Sequence, residues 1–506
     1  MDLGNAASVA YSAPELILIG AAIGIVAADP VVRAKEQLGA AALLACAAAL
    51  IAAIGIRLPF SERWLVQGLL RGGEGWLWSR MVVVDGFAVF FKLVFALAAF
   101  ATVWMSLGSA EVQDSGEEGE YYALVLAATV GLFYMAAAAN LLMAYLALEL
   151  VSLTSYVLTG YRRHDRRAGE AALKYLIYGG VASAVMVYGM SWLYGLAGSF
   201  QYRAIHDALA HGAAAPLTVF VAVVLVLAGF GFKIAAVPFH MWAPDVYEGA
   251  PIPVTAFLSV GSKAAGFAIL IRLFYPGLSE PGAGGAWTTL AGLDWPTLML
   301  VVSMATMTLG NLGALGQRNL KRLLAYSSIA HAGYLLMGFV VLDDAGLRAM
   351  LFYVVTYYLM NFGAFAVVMV VANATGREDM DGYRGLAWRG GAVPAVAMAI
   401  FLFSLAGIPP LAGFVGKFYL FAAVVEQRFY VLALVGFANT LVALYYYLRI
   451  VRTMFLDRPR GDEGVVALDA HNAFLLYFLA VPTIGLGLYW APVMALAERS
   501  VRFFLG

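Results

Sequence analysis

Apolar runs long enough to cross a bilayer recur along the whole of this 506-residue chain, and that repetition leaves room for one class of fold. A helix needs about 20 apolar residues to span the hydrocarbon core. Inside that core every backbone N–H and C=O must be paired within the structure, which a helix provides and an open strand does not. Fourteen runs reach the length, at 13–29, 38–56, 82–107, 121–139, 141–160, 171–197, 216–238, 252–275, 296–316, 321–342, 346–373, 393–423, 429–455 and 472–497. Hydrophobic residues make up 63% of the chain and charged ones 12%, against about half and about a quarter in soluble domains. The sequence predicts an all-α integral membrane protein with about 14 transmembrane helices, a single polytopic domain over 1–506. Linkers are short. The longest, 57–81, holds Arg57, Glu62, Arg63, Arg71, Glu74 and Arg80, and the acidic stretch at 111–120 reads as a solvated loop.

The distribution of Lys and Arg between the runs sets the orientation. With the N-terminus outside, the inner loops hold 17 of the 31 basic residues and the outer side ten, with the 57–81 loop alone opposing the trend. Both termini are therefore expected on the outer, periplasmic face of a bacterial inner membrane. The bacterial origin rests on a start without a basic targeting segment and on 24 arginines to seven lysines. Neutral net charge argues against a nucleic-acid partner and leaves the lipid bilayer as the surrounding medium. A lone cysteine, Cys46, excludes an internal disulfide and any Cys-ligated cluster. There is no HExxH, no phosphate-binding Gly-rich loop and no CxxC, and EDMDG at 378–382 is too incomplete for a calcium loop. No catalytic residue, metal site or cofactor is expected.

Two runs look interrupted. The twelfth carries GIPPLAG at 407–413, where Pro409 and Pro410 remove backbone donors. The seventh carries GFGFK at 229–233 and then Pro238. Broken helices at corresponding positions of two halves indicate inverted repeats around a midplane site. The halves would be helices four to eight (121–275) and nine to thirteen (296–455), five spans each. The match is imperfect, because the prolines follow the buried lysine in one half and precede it in the other.

Four of the seven lysines, Lys92, Lys233, Lys263 and Lys417, lie inside apolar runs, where a cation costs about 2.5–3.5 kcal/mol on insertion scales. Such residues face a polar interior and mark ion or proton paths. Glu149, in YLALELVSLTSY, reads as their one matching anion. Burial favours a neutral amine and a nearby carboxylate favours the ammonium, so a lysine balanced between them can take up and release a proton; a purely structural ion pair is the alternative. Lys263 and Lys417 have Gly or Ser neighbours that leave room for water. Lys92, in VFFKLVFAL, either snorkels, pairs at a subunit boundary or joins the path. His331, in AYSSIAHAGYLL, has the chemistry of a proton relay. His240, Asp245 and Glu248, in PFHMWAPDVYEGAP, either cap a half-helix or connect the path to an aqueous face.

At these motifs the chain resembles the antiporter-like membrane subunits of the proton-pumping NADH:quinone oxidoreductase, respiratory complex I. The stretches that carry the resemblance are GFGFKIAAVPFHMWAPDVYEGAPIPVTAFLSVGSKAAGF at 229–267, NLKRLLAYSSIAHAGYLLMG at 319–338 and SLAGIPPLAGFVGKFYLF at 404–421. DVYEGAP favours the subunit N branch over L and M, and the end at 506 leaves no lateral helix of the kind expected in L. Two positions, Ile252 and Leu411, depart from the family pattern. The resemblance implies fourteen helices with inverted repeats and a midplane polar axis of Glu149, Lys233, Lys263, His331 and Lys417. It also implies redox chemistry on other subunits, no cofactor here, and as partners the antiporter-like subunit M and small membrane subunits. The alternatives are a subunit of a multisubunit cation/proton antiporter or membrane-bound hydrogenase, or a passive scaffold. Four mid-span lysines weigh against the scaffold, since aliphatic residues would pack helices without the insertion penalty.

Overall fold

A computed structural model of the chain describes residues 5–55, 75–114, 117–212, 215–290, 292–459, 464–501 and 503. Apolar runs become helices whose ends are set by short polar residues. We number them α1 (Ala13–Ala28), α2 (Glu36–Gly55), α3 (Gly86–Leu107), α4 (Glu118–Ala137), α5 (Leu141–Thr159) and α6 (Arg166–Ala197). The seventh is α7a (Pro216–Ile234) with α7b (Trp242–Gly249), and the eighth is α8a (Ile252–Phe257) with α8b (Lys263–Leu278). Then follow α9 (Trp295–Leu315), α10 (Leu320–Val340), α11 (Asp344–Thr375), α12a (Ala392–Ala406), α12b (Ala412–Glu426), α13 (Tyr430–Phe455), α14 (Ala470–Leu488) and α15 (Ala491–Ser500). Twelve helices among the described residues are long and apolar enough to cross a membrane. The shorter apolar α1 and α12a fall where the first and twelfth runs were expected. Most of the 57–81 connection lies outside the described residues; its end, with the start of the third run, forms a small hairpin of β1 (Gly75–Leu77) and β2 (Val82–Val84).

Corresponding helices of the two halves begin and end alike. Asn140 caps α5 by accepting from the Met143 N–H at 2.7 Å, and Asn319 caps α10 from Arg322 at 3.1 Å. Asp165 and Asp343 cap α6 and α11, both 32 residues long and both ending on a left-handed glycine, Gly198 (φ 65°) and Gly376 (φ 66°). After each, the chain returns to the cap of the preceding helix, with Leu141 N–H donating to Phe200 O and Leu320 N–H to Glu378 O. Packing matches as well: α4 lies on α5 and α9 on α10, while α6 holds both parts of helix seven and α11 both parts of helix twelve.

Both expected breaks are present. At each, the residue after the last helical turn is left-handed: Gly407 (φ 85°) after α12a and Ala235 (φ 56°) after α7a. Ile408 N–H donates to Phe403 O and Gly407 N–H to Ser404 O; Ala236 and Ala235 donate to Gly231 O and Phe232 O in the same pattern. This is the Schellman closure, for which glycine is the favoured residue. Two further interruptions escape the sequence reading. A π-helical turn, Leu258–Ser262, divides the eighth run just before Lys263. The fourteenth run parts at 489–490, because Pro492 supplies no N–H to continue α14. At the centre of the bundle, helix eight, α10 and α11 are almost wholly buried, while α6, α13 and α14 keep broad exposed faces.

Candidate functional site

Three of the four mid-span lysines and His331 converge on this buried centre. Lys233, at 0% exposure, lies in the last turn of α7a, where the helix dipole favours a cation. Its Nζ donates to Ser152 Oγ on α5 at 3.1 Å. Lys417, on α12b, reaches back across its break so that Nζ donates to Ala406 O at 3.2 Å, the carbonyl end of α12a. The two lysines thus differ in partner: Lys233 meets a hydroxyl of α5 and Lys417 a carbonyl at the end of α12a. The Lys417 ammonium also lies 4.6 Å from the Tyr334 ring centroid, a cation–π contact.

Glu149 does not pair directly with Lys233. No contact within ion-pair distance joins them among the described residues; Glu149 accepts instead from Ser183 Oγ on α6. Glu149 and Ser152 share a face of α5 three residues apart, so the carboxylate stands one turn from the hydroxyl that holds the lysine, close enough for its charge to be felt there.

Lys263 follows the π turn and is 3% exposed. Its Nζ has no hydrogen-bond partner among the described residues and lies 5.7 Å from the Tyr247 ring centroid. His331 Nδ1 is 2.6 Å from Tyr353 OH and Nε2 is 3.3 Å from Tyr447 OH, which in turn lies 2.5 Å from Ser327 Oγ. His331 feels the charge of both Lys263 and Lys417. Tyr175 lies near Ser155 and Ser262, and Tyr247 and Tyr357 lie near Ser328. None of these approaches reaches hydrogen-bond geometry. Tyr175, Tyr247 and Tyr357 OH, with Ser262 and Ser328 Oγ, are buried and unpaired among the described residues. More than about 90% of buried polar groups are hydrogen-bonded, and internal water commonly supplies the missing partner.

The remaining candidates separate from this line. Lys92 does not snorkel: its Nζ is 2.6 Å from Glu15 Oε1 on α1, both side chains buried. Glu15 is thus a second intramembrane anion, which corrects the reading of Glu149 as the only one. Asp245, in the first turn of α7b, and Glu248, near its end, do not cap the half-helix, whose start at Met241 has no side-chain cap bond. Asp245 is 2.7 Å from Lys174 and 2.5 Å from Arg322, and Glu248 is 2.9 Å from Arg322, beside a cavity of about 260 Å³. His240 sits in the break of helix seven, half-buried, within the field of Lys263. Cys46 is buried and unpaired, as expected, and no cluster of His, Cys, Asp or Glu that would hold a metal occurs among the described residues.

Sequence reasoning also missed the buried pair of Arg272 with Asp85, whose charges stand 187 residues apart. The signal was available, because each residue sits within an apolar run and a lone charge there needs a partner.

A many-helix apolar bundle with two broken helices and several buried lysines defines a polytopic membrane protein. The transmembrane family described as NADH:quinone oxidoreductase/Mrp antiporter matches residues 138–443. The chain belongs to that family, within its NADH-quinone oxidoreductase subunit N branch. It is 46% identical to subunit N of Anaeromyxobacter sp. (strain Fw109-5), covering 99% of this chain and 98% of that one. It is also 46% identical to subunit N 2 of Sorangium cellulosum, with the same shares covered. Among solved structures, a chain of respiratory complex I from Thermus thermophilus superposes with a TM-score of 0.78 at 31% identity, over 96% of this chain and 99% of that one. A chain of the Mrp complex from a Dietzia species gives 0.79 at 22% identity, covering 97% and 96%; that likeness concerns the fold alone.

Proposed function

We propose that this chain is a proton-translocating membrane subunit of NADH-quinone oxidoreductase, passing protons from Lys233 through Lys263 and His331 to Lys417. The observation that supports the reading is four buried titratable groups in the helical core, with buried hydroxyls near them that have no hydrogen-bond partner among the described residues. Glu149 tunes Lys233 through the Ser152 face of α5. The charged cluster of Asp245, Glu248, Lys174 and Arg322 opens the first half to one aqueous face. His240 is a side branch at the break, and Lys92 stays outside the pathway as half of a structural pair. Redox chemistry takes place on other subunits. Subunit M and small membrane subunits flank the chain in a bacterial inner membrane, with both termini outside. Fourteen spans, arranged as inverted repeats over 121–275 and 296–455 within one domain, are supported by the shared caps, closures and packing of the two halves.

The test is proton uptake by vesicles holding the assembled complex, measured beside NADH oxidation. Lys263→Met removes the carrier whose ammonium has no hydrogen-bond partner among the described residues and is expected to lower both about tenfold or more, since a positioned proton-transfer group contributes about 10²- to 10⁴-fold. Unchanged uptake would remove the axis reading. Glu149→Gln keeps the Ser183 contact but loses the charge, and is expected to lower uptake severalfold with assembly intact. Normal pumping in that variant would make Glu149 a packing residue.

A further inference from the structure

Away from the polar axis, a cleft of about 570 Å³ opens between α2, α3, α11 and α15. Its walls are apolar: Leu50 and Ile54 from α2, Val89 and Leu93 from α3, and Val493 and Leu496 from α15. One end is closed where Tyr358 OH of α11 donates to Leu97 O of α3 at 3.0 Å. The other end is where α3 begins and α2 ends, and there Arg499, exposed in the last turn of α15, lines the rim with Ser500.

Length, lining and charge together select an occupant. From Gly86 to Leu97 is eleven residues, or about 16 Å at 1.5 Å per residue. Half of a hydrocarbon core about 30 Å thick is about 15 Å, so the cleft is as deep as one leaflet. A polypeptide inside it would bring backbone N–H and C=O groups that an apolar wall cannot pair, whereas an acyl chain brings none. Arg499 makes no ion pair or hydrogen bond among the described residues. The adjoining acid, Glu498, is engaged by Arg348 at 3.1 Å. A free cation at the leaflet surface above an acyl-length cleft matches the phosphate of an anionic lipid.

We propose that this cleft is a binding site for an anionic phospholipid, with one acyl chain between α2, α3, α11 and α15 and the headgroup phosphate on Arg499. Photo-crosslinking tests it. The assembled complex is placed in phosphatidylcholine nanodiscs with a trace of phosphatidylglycerol bearing a diazirine at its acyl terminus, and adducts on this chain are mapped by peptide mass spectrometry. Adducts are expected at 89–97 and 355–358, suppressed by excess unlabelled phosphatidylglycerol but not by further phosphatidylcholine. Arg499→Gln should lower these adducts about fivefold, the scale of one cation's attraction to an anionic headgroup, while adducts elsewhere on the chain stay constant. Leu93→Trp should fill the cleft and remove them with Arg499 in place. Equal labelling by a phosphatidylcholine probe, or no response to Arg499→Gln, would show bulk lipid only. Labelling elsewhere with none in the cleft would show that another occupant closes it. Either result overturns the proposal.

Discussion

Replacing Lys417 with methionine is expected to lower proton uptake and NADH-driven turnover together, by about tenfold or more, in a complex that still assembles. The argument begins at the break of helix twelve. Gly407 closes α12a in the left-handed conformation, so the last carbonyls of that helix lack intrahelical partners, and the Lys417 ammonium takes one of them, Ala406 O. The negative end of a helix dipole holds a cation, the Tyr334 ring face holds it further, and the apolar surroundings oppose it. A group balanced in this way can exchange its proton, which the proposed pathway requires of its terminal carrier. Moving one charge across the membrane potential takes about 2.3 kcal/mol per 100 mV, and a thioether has no proton to offer. Methionine is unbranched and adaptable, so packing should survive. Arginine should fail as well, because it keeps its proton at any physiological pH. If arginine restored uptake, positive charge alone would suffice. Wild-type uptake by the methionine variant would take Lys417 off the pathway.

Much of this was legible because bilayer physics is severe. A run such as 346–373 has few alternatives to helix, and Pro409 and Pro410 cannot sit in an unbroken one. Lys233, Lys263 and Lys417 stood out because a cation in an apolar run is costly. What stayed hidden depends on distances that only the fold creates. Lys92 and Glu15 looked unrelated while α1 and α3 were separate strings of letters. The reach of Lys417 to Ala406 follows from the return of the chain at the break. Tyr353 and Tyr447 are ordinary aromatic residues in sequence, and only packing turns their hydroxyls toward His331. Leu258–Ser262 has no proline to announce its π turn. Glu149 and Lys233 pair by charge in sequence, but spacing alone does not resolve whether the carboxylate meets the ammonium directly or stands one helical turn from the Ser152 that holds it.

Breaking the Asp85–Arg272 pair on one side should produce a large loss of stability. The guanidinium donates to both carboxylate oxygens at 2.6 Å, and its Nε donates to Ala136 O at 2.8 Å. Asp85 also caps α3 by accepting from the Ala88 N–H at 2.8 Å, so the pair ties the start of α3 to α4 and α8b. Arg272 is 3% exposed and Asp85 0%. Removing one partner of such a pair strands a buried charge and costs about 3–5 kcal/mol, whereas replacing both is often neutral. Asp85→Ala also forfeits the cap, at about 1 kcal/mol, and should sharply lower the amount of assembled subunit in membranes. Asp85→Asn combined with Arg272→Met keeps a capping side chain and leaves no charge behind, so it should recover most of the assembly. Arg272 lies nine residues, or about 14 Å, along the helix from Lys263. Proton uptake per assembled complex should therefore match wild type in the double variant. Full assembly of Asp85→Ala, or a double variant no better than the single, would show that the pair does not hold these helices. Restored assembly with lost uptake would instead place Asp85 and Arg272 on the proton pathway.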